Sequence, residues 1–175
     1  MALHLFLPLL YSLVFIRSFP NIWSFVFFIV GICIGFQILF FDRVLHAFYL
    51  YPESEFNRLV RSLWSNKNYI GFVKALSQAE TLQEKLLTRS TLFLIVFVLM
   101  TIFVLTSTGS IVGTGIMLGM GLHYTYDFWR YSGSQEKFSK QYLWQVKKTF
   151  TDREIRGFVL VWTAFFVLLS LVVFI

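Results

Sequence analysis

The sequence predicts an all-α protein, a polytopic transmembrane bundle of about five helices that forms one integral membrane domain over residues 1–175. Three observations lead to this fold class. Hydrophobic residues make up 57% of the 175 residues and aromatic residues 20%. Charged residues make up only 14%, against about 25% in a soluble domain. Nearly all of these charges fall in two stretches, so that five apolar runs lie before, between and after them.

The five apolar runs are the predicted membrane-spanning helices, because a helix needs about 20 mostly apolar residues to cross the hydrocarbon layer. They cover about residues 2–16, 23–41, 90–107, 110–128 and 157–175. The first run is slightly short and contains Pro8. It has neither a basic leader nor a small-residue cleavage motif, so we expect a retained helix rather than a signal peptide.

The positions of the basic residues predict the orientation. Of the 15 Lys and Arg residues, seven lie in residues 42–89, seven lie in residues 130–156, and Arg17 alone lies elsewhere. Five crossings place both stretches on one side, and cytoplasmic loops carry the Lys/Arg excess. The sequence therefore predicts a protein of the cytoplasmic membrane with its N-terminus inside and its C-terminus outside.

Residues 42–89 are predicted to form a cytoplasmic insert that contains amphipathic helices. An apolar stripe with helical spacing begins the insert, formed by Phe56, Leu59, Val60, Leu63 and Trp64. The motif Ser77-Gln78-Ala79-Glu80 fits a capping box that restarts a helix. Two placements remain open for these helices: against anionic lipid in the headgroup layer, or as a cap on the cytoplasmic ends of the bundle.

The second basic stretch, residues 130–156, alternates basic and aromatic side chains. Such a pattern can bind single-stranded nucleic acid. Because this stretch joins two predicted membrane helices, anchoring at the membrane interface explains it better. The net charge of +6 is therefore interpreted as an orientation signal, and no nucleic-acid partner is expected.

Five ionisable residues lie near the cytoplasmic ends of the predicted helices. They are His4, Asp42, His46, His123 and Asp127. Asp42 and His46 are spaced i,i+4, and so are His123 and Asp127. This spacing places each pair on one helix face. Gly31 and Gly35 share the face of the first pair, and Gly109, Gly113 and Gly119 share that of the second within about 120°. Because small residues mark close helix approach, we expect both pairs to point into the bundle.

These residue types predict a metal site. Histidine and carboxylate side chains bind divalent ions, and Zn²⁺ is the best match for this combination, so the expected cofactor is one divalent ion. A cation would also offset the unfavourable position of Asp42 and Asp127 near helix C-termini. The alternative is a structural polar cluster that holds the helices together, with Asp127 and Arg130 as an i,i+3 ion pair.

At these residues the sequence resembles the membrane-bound metal-dependent hydrolase family. His4 is similar to the family's early histidine, and His123-x-x-x-Asp127 to its late motif. Residues 39–43 keep only the second aspartate of the family's Pro-Asp-x-Asp-His motif, since Phe40 and Arg43 replace ligand-type residues. The resemblance implies hydrolysis at the membrane, and the departures fit a non-catalytic relative equally well.

Two functions follow from these observations. In the first, a metal-dependent hydrolase acts on a lipid-type phosphodiester or ester at the cytoplasmic leaflet, and Arg43 or Arg89 holds the head group. In the second, the chain is a non-enzymatic membrane scaffold or complex subunit whose His/Asp cluster is structural. Membrane lipids are the expected partners in both, together with a second copy of the chain or another membrane protein.

Overall fold

The computed structural model describes residues 2–79, 83 and 85–174. This part of the chain forms eight α-helices and no β-strand, as the predicted all-α class requires. In chain order the helices are α1 (Ala2–Leu13), α2 (Ile22–Leu45), α3 (Glu55–Ser65), α4 (Tyr69–Gln78), α5 (Thr91–Phe103), α6 (Ile111–Tyr131), α7 (Gln135–Tyr142) and α8 (Asp152–Leu171). A π-helical turn, His46–Leu50, extends α2, and a second one, Val104–Thr108, extends α5.

Side-chain caps determine where several of these helices begin. Asn21 accepts a hydrogen bond from the Ser24 backbone N–H at the start of α2, and Ser90 accepts one from Phe93 at the start of α5. Thr151 and Glu154 form a complete capping box. This box satisfies backbone N–H groups that would otherwise lack a partner. As a result, α8 begins five residues before the apolar run from which it was predicted.

Helices α2 and α6 form the centre of the bundle and cross through glycines. A Cβ atom built on Gly31 would lie 2.5 Å from the Val112 carbonyl oxygen, and one built on Gly115 would lie 2.5 Å from the Phe28 carbonyl oxygen. Cβ atoms at Gly35 and Gly119 would also overlap backbone atoms of the opposite helix. Small residues therefore let the two backbones touch, as predicted for Gly31, Gly35 and Gly119. The prediction is wrong for Gly109 and Gly113, whose Cβ atoms would not meet α2.

Aromatic clusters pack the remaining helices around this pair. On one side, Tyr124 and Phe128 of α6 pack with Phe138 of α7 and Trp162 of α8. On the other side, a second cluster joins side chains from α1, α2, α6 and α8; its buried members include Phe28, Phe36, Leu118 and Phe166. Most of these rings meet edge-to-face or tilted, as in the Phe128–Trp162 pair with a centroid distance of 5.2 Å, whereas Tyr11 and Phe166 stack.

The predicted insert packs on the end of α2. Val60 of α3 and Phe72 and Leu76 of α4 are buried with Ala47, which lies in the π-helical turn that follows α2. The amphipathic helices therefore form a cap on the bundle, one of the two placements left open by the sequence.

The predicted helix restart at Ser77 is wrong. Helix α4 begins at Tyr69, because the Asn68 side chain accepts a hydrogen bond from the Gly71 backbone N–H. Ser77 lies inside this helix and its hydroxyl donates to the Lys74 carbonyl instead. The other end of the proposed capping box, at Glu80, lies outside the described residues.

Two helical segments of the described chain are long and apolar enough to cross a membrane. They are Ile22–Leu50 and Asp152–Leu171, and the apolar segment Thr91–Ser107 is shorter. Their apolar side chains are largely on the outside of the bundle: Val161 of α8 is 71% exposed and Trp23 of α2 is 69% exposed.

Candidate functional site

Six of the seven predicted site residues lie inside the protein. They come from α2 and the π-helical turn after it, from α6, and from the segment that leads into α5. Six are buried: Asp42, Arg43, His46, Arg89, His123 and Asp127. The seventh, His4, belongs to α1, but its side chain lies outside the described residues. The glycine contacts between α2 and α6 account for the burial of Asp42 and His123, because these residues lie about 20° and 40° around their helices from Gly35 and Gly119.

Arg89 and Asp127 form a buried ion pair at the centre of the site. The guanidinium Nη2 lies 2.7 Å from Asp127 Oδ2. The Tyr142 hydroxyl donates to the same oxygen at 2.8 Å, and Arg89 Nη1 donates to Gln141 Oε1 at 3.4 Å. The ion-pair partner of Asp127 is therefore 38 residues away in the chain and not the nearby Arg130 that its spacing suggested.

Burial controls the protonation of the groups around this pair. Burial disfavours the charged form of Arg89, but the Asp127 carboxylate and the neighbouring Tyr142, Tyr131 and Tyr124 together outweigh this effect and raise the pKa of the guanidinium. Burial raises the pKa of the Tyr142 hydroxyl, and the negative charge of Asp127 raises it further. Arg89 therefore stays charged and Tyr142 stays a hydrogen-bond donor at neutral pH.

His123 connects the same carboxylate to α2. Its Nδ1 lies 2.5 Å from the Phe36 carbonyl oxygen. Since a carbonyl oxygen only accepts, this nitrogen carries the proton and donates it to that bond. The other ring nitrogen, Nε2, faces Asp127 Oδ2 at 3.6 Å. The imidazole thus lies between the backbone of α2 and the carboxylate of α6.

Asp42 binds the chain segment just before α5. Its Oδ2 accepts hydrogen bonds from the Thr88 backbone N–H at 2.8 Å and from the Thr88 hydroxyl at 2.7 Å. The Tyr124 hydroxyl of α6 donates to the Thr88 carbonyl at 2.6 Å. Asp42 and Asp127 therefore bind consecutive residues, Thr88 and Arg89, from opposite helices.

The remaining site residues of α2 bind the cap. The Arg43 guanidinium donates to the Leu76 carbonyl at 2.8 Å. His46 Nδ1 lies 3.2 Å from the Asn57 side-chain nitrogen, and the Gln83 side-chain amide donates to both Asn57 Oδ1 and the Arg43 carbonyl at 3.1 Å. Arg43 and Arg89, which were predicted to hold a lipid head group, thus both lie inside the protein and donate to protein acceptors.

Sequence reasoning did not identify several members of this network. The missed residues are Asn57, Gln83, Thr88, Gln141 and Tyr142. Asn57 gave a detectable signal, because a polar side chain three residues before Val60 borders the apolar stripe of α3 and needs a buried partner. The others gave none, since their partners lie in distant parts of the chain.

The described residues do not assemble the predicted ligand set around one ion. Among their side chains, no group of three His, Cys, Asp or Glu residues could hold a metal ion. His123 and Asp127 approach each other, whereas Asp42 binds Thr88 and His46 contacts Asn57. The arrangement instead forms a hydrogen-bonded network between α2, α6, the start of α5 and the cap.

No protein-family model, curated protein or solved structure matches this chain. The function is therefore argued from the site itself.

Proposed function

We propose that this chain is a non-enzymatic integral membrane protein, a scaffold or a subunit of a membrane complex, whose His/Asp cluster holds the bundle together. One observation carries this proposal. Asp42 and Asp127, on α2 and α6, both bind the Thr88–Arg89 segment through contacts of 2.7–2.8 Å. Each of these buried carboxylates therefore accepts from protein donors, fully buried at Asp127 and partly buried at Asp42. A structural cluster satisfies buried charge in this way.

The proposal places five crossings in the bilayer, with the N-terminus and both basic stretches in the cytoplasm. The exposed apolar surface supports it. In the most apolar 18 residues of Ile22–Leu50, 39% of the residues are buried. In the most apolar 18 residues of Asp152–Leu171, 22% are buried. The core helix of a soluble protein would be mostly buried, so a hydrocarbon environment accounts for the remaining side chains. Lipid, a second copy of the chain or another membrane protein would cover these faces.

Cysteine labelling tests this topology. In a Cys33→Ser background, we expect Gln135→Cys in α7 to react with a membrane-impermeant maleimide only after the cells are permeabilised. Ser107→Cys, in the turn between α5 and α6, should react in intact cells, because that turn lies on the opposite side. Labelling of Gln135→Cys from outside would contradict the orientation.

Metal analysis separates the proposal from the metal-dependent hydrolase. We expect the protein purified in detergent to contain no stoichiometric Zn²⁺ or other divalent transition metal by mass spectrometry, because its candidate ligands bind protein groups. The hydrolase predicts about one ion per chain, lost in both His123→Ala and Asp127→Ala. Glu136→Ala is the matched control, since this carboxylate pairs with Lys140 on the surface. Stoichiometric metal that only the first two variants lose would overturn the structural assignment.

A further inference from the structure

The last turn of α3 and the outer side of α4 form a surface that is apolar and aromatic, here named the α4 surface. It consists of Trp64, Tyr69, Ile70 and Val73, which are 49%, 53%, 85% and 36% exposed. Ile70 is the most exposed large apolar residue of the described chain. The Trp64 and Tyr69 rings contact each other with centroids 5.4 Å apart. Trp and Tyr pairs with one wet and one apolar side are typical of the membrane–water interface.

The chain segment that carries the α4 surface contains basic residues and no acidic ones. Between Phe56 and Ala79 the chain carries four basic residues and no acidic one. Two of them, Lys67 and Lys74, are exposed next to the α4 surface. Two like-charged surfaces repel each other, so this charge disfavours a second copy as the occupant and favours an anionic partner.

The depth of α4 along the bundle points to the kind of anionic partner. If the apolar part of α2 ends at Phe41, then Arg43 lies ~3 Å and Phe48 ~10 Å beyond the hydrocarbon boundary. Arg43 donates to the Leu76 carbonyl of α4, and the Phe48 ring contacts Phe72 of α4 with centroids 6.4 Å apart. The headgroup layer is roughly 5–8 Å thick on each side. Helix α4 therefore contacts the chain from within this layer, at Arg43, to just beyond its outer edge, at Phe48 in the π-helical turn after α2.

We propose that the α4 surface docks onto anionic phospholipid of the cytoplasmic leaflet. Ile70, Val73 and Tyr69 would insert among the headgroups, while Lys67 and Lys74 contact lipid phosphates. The inference rests on the membrane topology of the proposed function and adds lipid recognition to it. The insert then has two faces: Phe72 and Leu76 cap the bundle, and the opposite side of the same helix contacts lipid.

Spin-label depth measurements on the full chain test this docking. In a Cys33→Ser background, labels are placed at Ile70→Cys, at Ser62→Cys on the exposed polar side of α3, and at Val30→Cys in the middle of α2. The protein is reconstituted in nanodiscs of phosphatidylcholine alone or of equal parts of phosphatidylcholine and phosphatidylglycerol. The measured quantity is the ratio of collisions with oxygen, which enters the bilayer, to collisions with a water-soluble nickel complex.

In the anionic discs we expect this ratio to be several-fold higher at residue 70 than at residue 62. Phosphatidylcholine alone should lower the ratio at residue 70, and so should the double variant Lys67→Gln/Lys74→Gln in anionic discs, since each lysine near an anionic surface contributes about a fivefold preference. Equal ratios at residues 70 and 62 would overturn the inference. A ratio at residue 70 that changes neither with the lipid composition nor with the Lys67→Gln/Lys74→Gln substitutions would also overturn it.

Two further outcomes would also overturn the lipid-docking inference, and each would show why it fails. Spin–spin broadening at residue 70 that disappears on dilution with unlabelled protein would assign the α4 surface to a second copy of the chain. A water-exposed label at residue 30 would refute the membrane topology, and with it both the proposed function and this inference. A label at residue 30 that lies at hydrocarbon depth supports the topology. A negative result at residue 70 then counts only against lipid docking of the α4 surface.

Discussion

Gly35→Ala should destabilise the protein strongly, although it adds a single methyl group. The new Cβ would overlap the backbone of Ile116, and a backbone cannot move aside as the end of a flexible side chain does. Overpacking a core costs about 1–3 kcal/mol, and this contact belongs at the upper end of that range. For a chain of this length, about 3 kcal/mol corresponds to a fall in melting temperature of roughly 6–12 °C.

The matched control is Gly157→Ala in α8. A Cβ there meets no atom within 4 Å, and alanine favours a helix over glycine by about 1 kcal/mol. The two identical substitutions should therefore shift the melting temperature in opposite directions, as followed by size-exclusion chromatography of heated samples in detergent. Equal shifts would show that α2 and α6 do not pack through their glycines.

Asp127→Asn should be the most damaging change at the candidate site. It keeps the shape of the side chain but leaves the Arg89 guanidinium buried without its counter-ion. Removing one partner of a buried pair costs about 3–5 kcal/mol. Arg89→Met should cost a similar amount, because it leaves the Asp127 carboxylate buried. Both losses would appear as a lower melting temperature and as poor recovery of folded protein.

The double variant Arg89→Met/Asp127→Leu tests whether the two buried charges stabilise the protein as a pair. Replacing both charges with apolar groups removes the cost of an unpaired charge, so this variant should regain much of the stability that each single change loses. Glu136→Gln is the surface control and should have no measurable effect, since its pair with Lys140 is exposed. A double variant whose loss equals the sum of the single losses would contradict the pairing.

The helices could be predicted well from the sequence because their signals are local. Apolar runs gave the approximate extents of α1, α2, α5, α6 and α8, and the stripe from Phe56 to Trp64 gave α3. Their ends were less accurate where a cap lies outside the apolar run. Thr151 begins α8 early for this reason, and Asn68 rather than Ser77 determines the start of α4.

The candidate site could be predicted only in part. The i,i+4 spacing and the glycine faces correctly predicted that Asp42, His46, His123 and Asp127 are buried, although His46 faces the cap and not the bundle. The partners of these side chains could not be predicted, since Asp42 binds a residue 46 positions away and Asp127 one 38 positions away. Ligand-type residues at similar depth therefore suggested a shared metal ion, and no sequence signal indicated the protein donors that bind Asp42 and Asp127.

The sequence by itself determined that this chain is helical, where its apolar faces lie and which ionisable residues point inward. These properties depend on periodicity and composition within about one helix length. Only the tertiary structure decided that Thr88 and Arg89 join the two carboxylates and that the insert caps α2. The first of these depends on the crossing of α2 and α6 at their glycines, and the second on the packing of α3 and α4 against the end of α2. Both bring together residues that no local pattern relates.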